Sequence, residues 1–326
     1  MEKEKSLAFG GASLSGEGGG YGFGNMSFEE SQTLLKKSFE AGIKIYDLAP
    51  IYGFGLAEKR VGAAFKGARD NVYFVTKGGV TWDLNKRVDI NNSPEVIQKM
   101  LNQSLKDLQT EYIDLYFIHW PDPRHDIRGA LEVLLREKEK GKIKLIGLSN
   151  THFQDWDQCE SLKGNDGQKV IDYIQGEFNF FKHDNLDIIL RCEKENVPFM
   201  SWGTLDKGIL SRRVKSEDQK FDDCDARKHA VWWKNEKELR KIKFKIMEEL
   251  EILLNKNHHS GLELALAFNL KYPSVKQLLC GIKSLDQLDS LLKAWQHLPH
   301  SEVMDEALSI REKHYLHFSK VSSQKK

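Results

Sequence analysis

Cysteine is sparse in this chain. The four present, Cys159, Cys192, Cys224 and Cys280, lie far apart with no C-x-x-C pair. That spacing excludes a thiolate metal cluster, a dithiol redox motif and the dense disulfide scaffold of a small secreted domain. Free thiols in a reducing compartment are expected. Long apolar runs are also lacking: none approaches the roughly 18 residues of a membrane span, and the opening MEKEKSLAFGG has no apolar leader core. The expectation is a cytoplasmic protein with no membrane partner. Nor does one sign of charge dominate, since 49 Lys and Arg against 48 Asp and Glu leave a net +1. With both signs interleaved there is no footprint for nucleic acid or an anionic surface. A small molecule is the default partner, and nothing here sets the oligomeric state.

What is present is a rhythm. Short runs rich in β-branched and aromatic residues occur at Ser6–Gly11, Ile43–Asp47, Val72–Lys77, Tyr112–His119, Leu145–Ser149, Val170–Glu177, Val197–Trp202 and Gln277–Gly281. Each is bounded by polar or glycine-rich turns, as buried parallel strands are. Helical stretches alternate with them. Ser27–Ala41 opens on Ser27 with Glu30 three residues on, a capping box; Ser93–Leu108 has Ser93 as N-cap and Pro94 in the first turn; Arg128–Lys140 stops at Gly141.

Alternating βα units imply a parallel sheet, either open and doubly wound or closed. Eight units favour an α/β fold of the (β/α)8 TIM-barrel kind, in one domain spanning residues 1–326. No G-x-G-x-x-G follows the first strand, and the glycines of Gly16–Gly24 match neither that fingerprint nor a P-loop; a flexible first βα loop is the simpler reading. One stretch breaks the rhythm: Ser211–Lys234 is long, charged and carries Trp232 and Trp233. It is expected to be a loop after the seventh strand, either a mobile lid or a surface excursion whose tryptophans pin the next helix. Ser301–Phe318 reads as an extra C-terminal helix, and 319–326 as a frayed tail.

Active sites of such barrels sit at the C-terminal ends of the strands. There the second strand ends at Asp47 and leads into Tyr52, the third ends in Thr76-Lys77, and the fourth in Ile118-His119. These four side chains form a plausible unit. Asp47 would hold Lys77 charged, the ammonium would lower the phenol's pKa, and His119 would hydrogen-bond a carbonyl while Tyr52 donates the proton. Singly each has a plainer reading: His119 as a core histidine, Lys77 as a solvated strand end. Tyr46, inside the strand pattern, suits packing better than chemistry.

Asp-x-Ala-x-x-Tyr-Gly (47–53), Thr-Lys (76–77), Ile-His-Trp-Pro-Asp (118–122) and Gly-Lys-Ile-Lys-x-Ile-Gly-Leu-Ser-Asn (141–150) together resemble the aldo-keto reductase superfamily. The likeness runs in order over essentially the whole chain. Gln175-Gly176-Glu177-Phe178-Asn179 and Gly281-Ile282-Lys283 are similar to the bacterial branch that includes inositol-operon reductases. The resemblance implies metal-free, NADPH-linked reduction of aldehydes and ketones, or the reverse, with NADH a possible substitute. The substrate would be a small carbonyl compound, a polyol or a sugar. Asp47, Tyr52, Lys77 and His119 would be catalytic. Ser149, Asn150 and Gln175 would bind the nicotinamide amide, with Trp202 stacking on its ring. Gly203, Leu205 and Gly208 would line the pyrophosphate, and Gly281, Ile282, Lys283 and Gln287 would grip the adenosine 2′-phosphate and adenine.

Departures from the family pattern, namely Leu48 after the aspartate, Gly203-Thr204 for a Ser-Pro, and Leu291 for an asparagine, touch cofactor contacts more than chemistry. Two rival readings are a cofactor-sensing regulatory protein of the same superfamily, like potassium-channel β-subunits, and a barrel hydrolase. The first would show tight cofactor binding with slow turnover. The second needs two facing carboxyls, which Lys77 and His119 fit poorly.

Overall fold

The computed structural model describes residues 4–16, 21–164, 167 and 169–323, with the backbone alone at 231, 232 and 316–323. Eight parallel strands close into a barrel: β1 (Ser6–Gly10), β2 (Ile45–Asp47), β3 (Tyr73–Gly78), β4 (Ile113–Ile118), β5 (Ile143–Ser149), β6 (Tyr173–Glu177), β7 (Phe199–Trp202) and β8 (Val275–Cys280). β8 pairs back onto β1, so no edge is left open. The expected fold is the one observed, with strand limits shifted by one to three residues, as is usual where ends fray.

The helices start where the sequence places its caps. Ser27 accepts from the Glu30 N–H at 3.1 Å while the Glu30 carboxylate accepts from the Ser27 N–H at 2.7 Å, the reciprocal pair that opens Phe28–Glu40. Ser93 is the N-cap of Pro94–Asp107 but its hydroxyl caps nothing. Ile127–Glu139 begins one residue earlier than the sequence suggests because Asp126 supplies its cap, accepting from the Arg128 N–H. Gly141, at φ 76°, ends that helix in the left-handed region.

Three features differ from expectation. An antiparallel hairpin, Val80–Trp82 against Val88–Ile90, grows from the end of β3. The 211–234 segment is not structureless: it contains Ala226–His229 and the start of Val231–Asn235, two short helices. The C-terminal helix runs over Ser301–Ser323, so much of the supposed tail is helical. The glycine-rich first loop falls partly, at 17–20, outside the described residues. Among the described residues no helix is long and apolar enough to cross a membrane.

Candidate active site

The inner wall of the barrel is apolar at mid-height, where Ala8, Ile45, Val75, Leu115, Phe117, Tyr173, Met200 and Leu279 form one cluster. Strand side chains alternate faces with a period of two. Two residues beyond this cluster, toward the C-terminal ends, come Asp47 after Ile45, Lys77 after Val75, His119 after Phe117, Gln175 after Tyr173 and Trp202 after Met200. The polar site is therefore the next storey of the same inward row. Ser149 joins it from Leu145 by way of Gly147. A Cβ at Gly147 would collide with the ring of Phe117, so glycine there makes room for the aromatic floor.

Lys77 is fully buried, and its Nζ donates to Asp47 Oδ2 and to the Leu48 carbonyl, both at 2.7 Å. The second Asp47 oxygen accepts from Gln175 Nε2 at 2.8 Å. Tyr52 stands in the turn after β2, where Gly53, Phe54 and Gly55 follow with φ of 64°, 53° and 92°. Three left-handed residues in a row fold the chain straight into Leu56–Ala64 and fix the tyrosine at the head of the turn. Its ring lies edge-on to His119, centroids 6.1 Å apart, with Lys77 Nζ 5.3 Å from the ring centre. All four residues singled out from the sequence meet at one point. Tyr46, by contrast, is packed in the core with its hydroxyl bonded to the Ile43 carbonyl.

The electrostatics reverse one expectation. Lys77 does not bring the Tyr52 phenol down: burial, then the negative charge of Asp47, then Tyr21 push it well above its ordinary value. Dehydration disfavours phenolate more than a lysine already neutralised by Asp47 can favour it. Burial also lowers Lys77, with Asp47 opposing, and holds His119 well below its usual range with help from Lys77. At neutral pH the site thus presents a protonated phenol and a neutral imidazole, two hydrogen-bond donors suited to an oxygen that is gaining charge.

Sequence reasoning missed two neighbours. Glu58 is wholly buried, accepts from Thr76 Oγ1 at 2.7 Å, and is pushed up to about 7, chiefly by burial; its placement three residues before Val61, on the buried side of its helix, is the available signal. The hairpin contributes Trp82, 5.2 Å from Phe54, beside the cluster of Ala49, Ile51 and Val80 that also packs Tyr52. Its signal is the alternation in Val-Thr-Trp and Val-Asp-Ile about a polar turn.

Around the mouth, Ser149, Asn150, Gln175 and Trp202 join the same network. Ser149 Oγ lies 3.4 Å from Gln175 Oε1; Asn150 Nδ2 donates to Ser149 Oγ at 3.1 Å and to the His119 carbonyl at 3.0 Å; Trp202 Nε1 donates to Asn150 Oδ1 at 3.1 Å. Gly203 and Gly208 turn the following loop at φ 69° and 103°, with Leu205 between them packed on the core. Beyond β8, Gly281 is exposed, with only the Ser13 side chain near the place a Cβ would take, and Ile282 is buried. Lys283 is not a free cation: its Nζ donates to the Phe23 carbonyl at 2.6 Å, while its N–H donates to Gln287 Oε1 at 2.8 Å.

Across this side runs a strap. Phe23 bridges Asp225, Gly24 N–H donates to the Cys224 carbonyl at 3.1 Å, and Ala226 N–H donates to the Gly22 carbonyl at 2.7 Å. Arg227 clamps Asp225 and donates to the Lys207 carbonyl at 2.9 Å. The first loop and the 222–227 stretch are therefore joined main chain to main chain. Trp233 packs against Phe221 and under Arg240, which fits the pinning role; the Trp232 side chain lies outside the description.

Residues 6–312 match the aldo/keto reductase family. The chain is 31% identical over 281 residues to the aldo-keto reductase YhdN of Bacillus subtilis, covering 84% of this chain and 81% of that one. It is 28% identical over 272 residues to the NADH-specific methylglyoxal reductase of Escherichia coli, covering 78% and 79%. A solved glycerol dehydrogenase of Gluconobacter oxydans superposes with a TM-score of 0.78 at 26% identity, over 94% of this chain and 91% of that one. This chain therefore belongs to the aldo/keto reductase family and is an NAD(P)-dependent oxidoreductase.

Proposed function

We propose that the enzyme reduces a small aldehyde or ketone, or oxidises the matching alcohol, with Tyr52 as proton donor and NADPH as the preferred cofactor. The carrying observation is the Asp47–Lys77 ion pair, buried at 2.7 Å beside the Tyr52 and His119 rings. The residues present suit a nicotinamide dinucleotide. Ser149, Asn150 and Gln175 offer a hydroxyl and two carboxamides to a carboxamide, and Trp202 offers a partly exposed indole face. Gly203, Leu205 and Gly208 would line the pyrophosphate, while Gly281, Ile282, Lys283 and Gln287 would take the adenosine end. When bound, the reduced nicotinamide supplies the hydride.

The chain's own residues do the rest. His119, neutral, donates a hydrogen bond to the carbonyl oxygen and orients it. Tyr52 gives its proton to that oxygen as charge develops, since an alkoxide is a far stronger base than even a buried phenolate. Asp47 keeps Lys77 charged, and Lys77 steadies the phenolate left behind. Such general-acid help is worth about 10²–10⁴ in rate. NADH is a possible second cofactor, the one for which the E. coli relative is named. Small polyols and 2-oxoaldehydes are suggested as substrates by the names of the Gluconobacter and E. coli proteins, and inososes by the likeness to the inositol-operon branch.

The test is a screen of methylglyoxal, glyceraldehyde, simple aldehydes, sugars and inososes followed at the NADPH absorbance band, repeated with Tyr52→Phe. The variant is expected to bind NADPH as the wild type does while losing at least about a hundredfold in kcat. Retention of more than about a tenth of wild-type kcat would remove Tyr52 from the acid's role.

A further inference from the structure

We propose that His259, Glu263 and His297 form a binding site for a late first-row divalent cation, with Zn2+ the probe of choice. Their ligand atoms all lie within 4.8 Å of one another. The three residues come from two outer helices that meet end to end: His259 and Glu263 at the start of Gly261–Leu270, His297 as the C-cap of Leu285–Gln296.

The carboxylate is already held in place. Glu263 accepts from the Ser260 N–H at 3.1 Å, and Ser260 Oγ accepts from the Glu263 N–H at 3.3 Å, a capping box that points the glutamate back past the helix start. Onto that same oxygen, Oε2, converge two imidazoles by their Nδ1 atoms, His259 at 2.8 Å and His297 at 3.4 Å, with ring centroids 4.6 Å apart. A capping box needs no histidine, so the cap alone does not account for two imidazole nitrogens trained on one carboxylate oxygen.

The spacing is that of a coordination sphere. Donors around a tetrahedral Zn2+ with bonds of about 2.0–2.1 Å stand roughly 3.3–3.4 Å apart. The separations to Glu263 Oε2, 2.8 and 3.4 Å, with all three ligand atoms within 4.8 Å of one another, bracket that value. Two imidazoles and one carboxylate are a borderline-soft set that suits Zn2+ and serves Mg2+ or Ca2+ poorly. His259 and Glu263 are 7% and 14% exposed while His297 is 58% exposed. The cation therefore enters from the solvent side, and water completes its fourth position. Its effect is to cross-link the helix that precedes β8 to the helix that follows it.

The experiment uses metal-stripped, tag-free full-length protein in competition with a chromophoric zinc chelator, on a Cys224→Ser background because Cys224 is partly exposed. One Zn2+ per chain is expected, unaffected by millimolar Mg2+. His259→Ala, His297→Ala and Glu263→Gln should each weaken binding by at least about tenfold. The glutamine variant can still form the capping box, so its loss of affinity reports on coordination and not on a frayed helix. The proposal is overturned if the His259→Ala/His297→Ala double variant keeps stoichiometric Zn2+ binding, or if the wild type binds Zn2+ no more tightly than that double variant.

Discussion

On the β2–β4 side of the barrel mouth, Asp47, Lys77 and His119 ride on strand ends or one residue beyond, locked by a buried ion pair with both carboxylate oxygens occupied. On the β7–β8 side, Gly203, Leu205, Gly208, Gly281 and Lys283 lie in loops, and what closes them is a strap of main-chain bonds between residues 22–24 and 224–226. The first side is built for a geometry that must not change between turnovers. The second is held by main-chain bonds between two loops, parts that can separate if, as proposed, a dinucleotide enters and leaves there. Local opening free energies are expected to follow the same division, low where few apolar contacts hold a segment and high in the core.

The largest effect is expected on the fixed side. Lys77→Met should cost turnover at least about a hundredfold. It should also cost about 3–5 kcal/mol of stability, because Asp47 is left buried with only Gln175 for a partner. Urea melts beside kinetics at saturating NADPH would check both, and unchanged stability would mean that the ion pair is not part of what locks this side.

A smaller effect is expected across the mouth. Lys283→Ala should raise the Kd for NADPH about tenfold, the worth of one charge-assisted phosphate contact, and barely move that for NADH. Equal wild-type affinities for the two cofactors would take Lys283 out of the site. Smaller again, and purely dynamic, is hydrogen exchange over residues 21–24 and 222–227. Both stretches should exchange together in the free enzyme and gain protection together on adding NADPH. Protection unchanged in both states would leave the strap a structural brace and dissolve the contrast.

The smallest expected change is none at all. With the Tyr52 pKa above its ordinary value and that of His119 far below its own, neither group titrates between pH 6 and 9. Since Tyr52 is the proposed acid and stays protonated, kcat for reduction should show no fall assignable to it over that range, a shallow step near pH 7 belonging instead to the buried Glu58, which is pushed up to about 7. A fall in rate centred near pH 8 would show that Lys77 lowers the phenol after all.

The strands and three of the four central residues, Asp47, Lys77 and His119, were legible because one period-two row carries both the apolar floor and the polar storey above it, while Tyr52 was legible from its place in the loop beyond Pro50. The hairpin was not, because its signal, one apolar–polar–apolar alternation in each strand of three residues, is too short to stand out from chance. The helices inside 211–234 fail the same way, at four and five residues. The Tyr52 pKa depends on how far water is excluded and on where Asp47 points, neither of which a residue string carries. Lys283 was placed correctly in the loop after β8, but its partner, the Phe23 carbonyl 260 residues away, comes only from the closing of the barrel.

Gly147 has no functional group, yet the ring beside the Lys77 ammonium has room only because position 147 carries no side chain. Phe117 stands between Gly147 and Lys77 in strand register, paired with each. A methyl group at 147 would press on that ring from the neighbouring strand, and the displacement is expected to pass to the lysine on its other side. Bulk at position 147 is therefore expected to lower the rate from a floor below the site. Mutational tolerance around the barrel should follow the stacking of its interior, and distance from the reacting atoms will be a poor guide to it.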